Sequence, residues 1–177
     1  MAEAQGHGST GARESQGRGG NGNGRRRLAL VASKGSLDGA YPPLILAATA
    51  ASLGWEVGIF FTFYGLDILH GKRHRKLKVS PVGNPAMPVP VPNLVGMLPG
   101  MTAAATRMMK GWMTRQNMPT VPEFLDIARD SGVKLFACST TMGVMGIEAK
   151  DLLPGADIAG AAAFLDFAAD ADVSLFV

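Results

Sequence analysis

The chain has 177 residues, of which 47% are hydrophobic and 18% are charged, so it is long enough for one ordinary domain with a real core. Its net charge of +3 is too small to indicate a nucleic-acid-binding protein. A single cysteine cannot close an intramolecular disulfide, which argues against a disulfide-stabilised secreted scaffold and favours a reducing cytoplasm.

The first segment of the chain, residues 1–24, is rich in Gly, Ser, Asn and Gln and has no aliphatic run, so it predicts a disordered tail before a domain at 25–177. The apolar run that begins at Leu28 ends at Lys34, too early for a signal peptide. Two charge-free stretches, 39–55 and 79–106, are interrupted by prolines, so neither is predicted to span a membrane. The second remains a candidate for an oligomer contact or for association with a membrane surface.

Short apolar runs alternate with helical segments after the tail. The runs that predict strands are 28–33, 56–63, 133–138, a weaker one at 157–161, and 173–177. The segments that predict helices are 41–53, 101–117, 121–131, 139–147 and 161–170. This order favours an α/β fold, a three-layer α/β/α sandwich with a five-stranded, mainly parallel sheet. A basic and Pro/Met-rich insertion occupies about 71–118.

Cys138 ends the third predicted strand and precedes a Ser/Thr-rich helix start. Reactive groups of open parallel sheets lie at the carboxyl ends of strands, and a helix N-terminus stabilises a thiolate. Cys138 is therefore the candidate catalytic residue. A buried structural cysteine is the alternative that spacing alone leaves open.

Several segments together resemble the DsrE/DsrF/DsrH-like family of sulfur-handling proteins, in its longer branch sometimes labelled peroxiredoxin-like. They are KGSLDGAYPPLILA at 34–47, FFTFYGLDIL at 60–69, KLKVSPVGNPAMP at 76–88, NLVGMLPGMTAAATRMM at 93–109 and FACSTTMGVMGI at 136–147. The resemblance implies an oligomer that carries sulfane sulfur as a persulfide on Cys138. It also implies rhodanese-like or TusA-like donor and acceptor proteins and no cofactor.

Two other functions remain open. One is a thiol redox protein, although peroxidase chemistry would need a Thr where Leu135 stands and an external thiol to resolve the sulfenic acid. The other is a non-catalytic interaction protein in which Cys138 is buried.

The residues around the two predicted strand-to-helix turns are expected to share one sheet edge with Cys138. The full phosphate-loop pattern is absent from SKGSLDG, and Ser36 or Asp38 is expected to cap the next helix. The expected pocket residues are Lys34, Ser36, Asp38, Ser139, Thr140 and Thr141.

A basic cluster at 72–78 predicts either a solvated loop or a docking site for an acidic carrier protein. Its docking candidates are Lys72, Arg73, Arg75 and Lys76. Seven of the ten Met residues fall between Met87 and Met118, which favours packing or an oligomer interface. The three His residues show no metal-ligand spacing with Cys138, so no metal site is predicted.

Overall fold

The computed structural model describes residues 24–80 and 100–177. The strands are β1 (Arg27–Ala32), β2 (Glu56–Phe61), β3 (Lys134–Cys138), β4 (Ala156–Ala159) and β5 (Val173–Phe176). The helices are α1 (Leu37–Ser52), α2 (Leu66–Leu69), α3 (Met101–Arg115), α4 (Val121–Asp130), α5 (Ser139–Met145) and α6 (Ala161–Ala169), with 3-10 turns at Phe63–Gly65, His74–Lys76 and Ala149–Asp151. The predicted tail, apart from Gly24, and the proline-rich stretch 81–99 lie outside the described residues.

The five strands form one sheet in the order β4-β3-β2-β1-β5, and every neighbouring pair is parallel. Parallel neighbours need crossover connections, and the helices between the strands provide them. The carboxyl ends of all strands consequently meet at one edge. The predicted α/β fold with a five-stranded parallel sheet is confirmed.

Successive residues of each strand point to opposite faces of the sheet. In β1, Leu28, Leu30 and Ala32 enter the larger core, whereas Ala29 enters a smaller core on the other face. Helices α1 and α4 pack together over the larger core, and α6 covers the smaller one. In β3, Leu135 and Ala137 belong to the larger core, so the Cys138 side chain lies on the α6 face.

Helix α1 begins earlier than the sequence predicts. The expected start at residue 41 is wrong, because the Ser36 side chain caps the helix by accepting a hydrogen bond from the Gly39 N–H at 3.3 Å. Pro42 and Pro43 therefore lie inside the helix, where they cannot donate hydrogen bonds to the preceding turn. The expectation that Ser36 or Asp38 caps this helix is confirmed for Ser36.

The β2 strand ends at Phe61 rather than at residue 63, because the backbone turns at Phe63–Gly65. Gly65 allows this turn to pack closely on β1, since a Cβ atom at residue 65 would lie 2.1 Å from the Ala32 carbonyl oxygen. Among the described residues, no helix has both the length and the apolar character needed to cross a membrane.

Candidate functional site: a hydrogen-bonded thiol at the carboxyl edge of the sheet

Cys138 is the last residue of β3 and the residue before α5. Its side chain is 6% exposed and packs in the smaller core with Phe60, Phe164 and Phe167. The next two residues, Ser139 and Thr140, are exposed. The thiol therefore lies just below the surface at the carboxyl edge.

Two threonine hydroxyls and one backbone amide form a hydrogen-bonded cluster beside the thiol. The Thr62 and Thr141 hydroxyl oxygens are 3.0 Å apart, and the Phe63 N–H donates to the Thr141 oxygen at 3.3 Å. Phe63 has a φ of 46°, in the left-handed region that residues other than glycine rarely adopt. The turn after β2 is thus fixed against the first turn of α5.

Burial raises the pKa of Cys138, and it is the largest single influence on this thiol. Hydrogen bonds from the hydroxyl and backbone N–H of Thr141, the Thr62 hydroxyl and the Thr140 backbone N–H act in the opposite direction. Their combined effect is larger, so the pKa of Cys138 lies below its ordinary value of 9.0. Local hydrogen-bond donors therefore favour the thiolate over the thiol.

The Ser/Thr-rich start of this helix does not supply its N-cap residue. Cys138 itself is the N-cap residue of α5, and the helix starts at Ser139. The short distance between the strand and the helix leaves room for no separate capping residue. The first amides of α5 consequently lie beside the cysteine rather than beside a serine hydroxyl.

Two groups of predicted residues meet in one cleft of about 890 Å³ at the same edge of the sheet. Lys34 and Ser36 come from the turn after β1, and Lys72, Arg73 and Lys76 come from the basic segment after α2. Tyr64 joins the lining and follows Phe63 directly in the chain. The turn after β2 therefore contributes both to the cleft, through Tyr64, and to the hydrogen-bonded cluster beside the thiol, through Phe63.

Other predicted residues lie apart from this cleft. The described residues that line the cleft do not include Asp38, Arg75 or Cys138. The Asp38 carboxylate accepts a hydrogen bond from the Ser80 N–H at 2.9 Å, and the Arg75 Nε donates to the His74 ring at 3.3 Å. Thr140 and Thr141 lie beside Cys138, whereas the cleft lined by Lys34 and Ser36 does not include Ser139, Thr140 or Thr141.

Sequence reasoning missed Thr62, Phe63 and Tyr64. A usable signal existed, because Thr62 immediately follows an apolar run and precedes two aromatic residues. Its partnership with Thr141 depends on which strands are neighbours, and sequence alone did not establish that order. Within the described residues, no group of three or more His, Cys, Asp or Glu side chains could hold a metal ion.

The fold and the site together define a parallel α/β protein with a hydrogen-bonded thiol at the carboxyl edge of its sheet. The sequence matches the DsrE/DsrF/DrsH-like family over residues 24–176, and the chain belongs to this family.

The chain aligns with nearly the whole length of two relatives. The chain is 43% identical over 159 residues to the sulfur carrier protein DsrE2 of Allochromatium vinosum, with 86% of this chain and 99% of the relative aligned. It is 33% identical over 162 residues to the Bacillus subtilis protein YrkE, with 86% and 97% aligned. A crystal structure of the Escherichia coli ychN protein superposes with a TM-score of 0.48 at 13% identity, covering 86% of this chain and 99% of that one.

Proposed function

We propose that this protein carries sulfane sulfur as a persulfide on Cys138. The observation that carries the proposal is the position of Cys138 at the end of β3 among hydrogen-bond donors from Thr62, Thr140 and Thr141, which lower its pKa. A thiolate is the nucleophile in sulfur exchange, so stabilising it favours attack on a persulfide. The similarity to a protein named as a sulfur carrier supports the same chemistry.

The loading step is a displacement at sulfur. The Cys138 thiolate attacks the terminal sulfur of a donor persulfide R–S–SH, a new S–S bond forms, and the donor's S–S bond breaks. The donor leaves as the thiolate R–S⁻, and the proton stays on the transferred sulfur in Cys138–S–SH. In the unloading step an acceptor thiolate attacks this terminal sulfur and releases the Cys138 thiolate. Neither step needs a metal or an organic cofactor.

The threonine hydroxyls beside Cys138 contribute to both the loading step and the unloading step. Cys138 leaves as a thiolate in the second step, so donors that stabilise the attacking thiolate also stabilise the leaving group. Cys138 is buried, but the next two residues, Ser139 and Thr140, are exposed, so an incoming donor would approach the sulfur from this edge of the sheet. The same residues thus serve loading and unloading.

We further propose donor and acceptor proteins of the rhodanese-like or TusA-like kind, which dock through Lys72, Arg73, Arg75 and Lys76. These four side chains are exposed and cationic, which suits an acidic partner. A reducing cytoplasm would keep the single cysteine available for this exchange.

We also propose a homo-oligomer that forms through the α6 face of the sheet. Among the described residues, α6 is the helix that covers this face, and two large apolar side chains stay exposed there: Leu165 of α6 and Phe176 of β5, whose register partner Val31 packs against the smaller core. Contiguous apolar surface of this kind usually has a protein partner. Sedimentation of wild type and Phe176→Asp would test it, because an oligomer held by this face should dissociate in the variant.

The test of sulfur carriage is intact-mass spectrometry after incubation with a persulfide donor. We expect a gain of about 32 Da for each sulfur atom bound, absent in Cys138→Ser and lost when an acceptor thiol is added. A protein that gains no mass under conditions that load an established sulfur carrier would contradict the proposal. Oxygen adducts after peroxide treatment, without sulfur loading, would instead support thiol redox chemistry.

If Cys138→Ser matches wild type in partner binding and in cellular phenotype, the result would support the alternative that the protein is a non-catalytic interaction protein.

A further inference from the structure

The cleft at the carboxyl edge of the sheet carries a strong excess of positive charge. Five cationic side chains and one carboxylate, Asp67, line it. The cations are Lys34, Lys72, Arg73, Lys76 and Lys78. The single carboxylate is already engaged, since Asp67 pairs with Arg73 at 2.8 Å.

The remaining four cations are lysines that are exposed and have no ion-pair partner within the described residues. The proline-rich residues 81–99, which follow this segment, contain no charged side chain that could neutralise them. Like charges held around one cleft repel each other, and an anion bound between them relieves that repulsion. The cleft is therefore complementary to an anion with more than one negative group.

The strand register fixes the spacing between this cleft and the reacting cysteine. The pairs Ala32–Phe61 and Phe61–Ala137 extend by one residue to place Ser33, Thr62 and Cys138 in line across three neighbouring strands. Adjacent strands are about 4.8 Å apart, so Ser33, which lines the cleft, lies about 10 Å from Cys138 along the sheet edge. A ligand held near Ser33 would therefore need its sulfur about 10 Å from the held group to reach Cys138.

We propose that the cleft binds the carboxylates of a small peptide thiol, whose persulfide then reacts at Cys138. An extended peptide spans at most about 3.5 Å per residue, so about three residues cover the separation. The volume of about 890 Å³ lies in the range of small-molecule sites, so the cleft has room for such a peptide. Inorganic oxyanions are too short to touch both the lysines and the thiol.

This inference rests on the proposed function and names the donor class for the same thiol. The carboxylates remain in the cleft while the Cys138 thiolate attacks the terminal sulfur of the peptide persulfide. The peptide leaves as its thiolate, and Cys138–S–SH remains, so no oxidant or reductant is consumed. The lysines touch the carboxylates and take no part in breaking the S–S bond.

The test compares two donors in one assay of Cys138 loading by mass spectrometry. One donor is glutathione persulfide, a tripeptide with two carboxylates, and the other is the uncharged persulfide of 2-mercaptoethanol. The test variant is Lys34→Glu/Lys76→Glu, which alters two unpaired, exposed residues. The control is Arg25→Glu, also exposed but next to the amino end of β1, at the opposite edge of the sheet.

We expect the double variant to lower kcat/KM for glutathione persulfide at least about tenfold. The kcat/KM for the uncharged donor should change less than about twofold. The control should leave both donors within about twofold of wild type, and added salt should weaken the preference for glutathione persulfide in wild type alone.

Equal effects on the two donors, or none on either, would overturn the proposal while leaving sulfur carriage intact. Failure of wild type to load from any donor would instead refute the proposed function. If loading from a protein donor falls in the double variant while loading from glutathione persulfide does not, the positive charge recognises a protein partner and the proposal is wrong.

Discussion

Replacing Thr141 by valine should make Cys138 markedly less reactive at neutral pH. Thr141 is 5% exposed, and its hydroxyl is among the donors that lower the pKa of Cys138. Valine has nearly the same shape and no hydroxyl. The variant therefore removes a hydrogen bond to the thiolate with little change in packing, and the pKa of Cys138 should rise.

The size of the effect follows from the strength of one hydrogen bond to a charged group. Such a bond contributes about 1.5 kcal/mol, which corresponds to a thiolate population roughly tenfold smaller at a pH below the pKa. The Phe63 N–H also loses its acceptor, so unfolding should become easier by about 1 kcal/mol. A domain with ordinary stability, about 5 to 15 kcal/mol, remains folded after this loss.

The assay is the rate of iodoacetamide alkylation as a function of pH, followed by intact mass. In Thr141→Val the midpoint of the profile should move to higher pH, and the rate at pH 7 should fall about tenfold. Thr141→Ser is the matched control, because it keeps the hydroxyl and should retain the wild-type midpoint. A profile of Thr141→Val that superposes on wild type would refute the role assigned to this hydroxyl.

The lowered pKa of Cys138 also makes the stability of the fold depend on pH. A thiol whose pKa is lower in the folded state stabilises the fold most above its unfolded pKa, near 9.0, and this stabilisation is lost as the pH falls through the folded pKa. The stability difference between wild type and Thr141→Val attributable to the thiolate should therefore grow as the pH rises toward 9.0. Urea denaturation at several pH values measures it.

Two further predictions concern the fold that holds the site. A hydrogen bond from Lys134 is the largest cause of the lowered pKa of Glu56, so Glu56→Gln should cost about 1 kcal/mol at pH 7. That cost should disappear as the pH falls through the folded pKa of the carboxyl, and a cost unchanged in acid would exclude the ionic contribution. Gly65→Ala should destabilise by about 3 kcal/mol, because its Cβ would meet the Ala32 carbonyl oxygen at 2.1 Å. Gly111→Ala, inside helix α3 with open space around it, should be neutral or slightly stabilising by thermal denaturation.

The strands were the most predictable part of the fold. The β1 run LALVA is apolar throughout because helices cover both faces of the sheet, and the structure places its strand at Arg27–Ala32. The helix starts were less predictable. Pro42 suggested a first turn, but the cap formed by Ser36 extends α1 back to Leu37. A local cap thus outweighed the positional preference of proline.

The position of Cys138 at the carboxyl edge could be predicted, but its hydrogen-bond donors could not all be identified. Thr140 and Thr141 lie two and three residues after the cysteine and were expected beside it. Thr62 is 79 residues from Thr141, and their contact depends on β2 being the sheet neighbour of β3. Charge patterning likewise identified Lys72 and Lys76 as exposed, whereas their meeting with Lys34 in one cleft required the path of the chain between β1 and α3.

The parallel pairing of β2 with β3 explains how one cysteine can be both buried and activated. Desolvation by itself would make the Cys138 thiol less acidic and less reactive. The pairing that buries the sulfur also aligns the end of β2 with the end of β3, so that Thr62 and the turn at Phe63 lie against Thr141. Burial and hydrogen-bond donation therefore arise from the same register. A shift of β2 by one residue would turn Thr62 to the other face of the sheet and leave the sulfur buried with fewer donors.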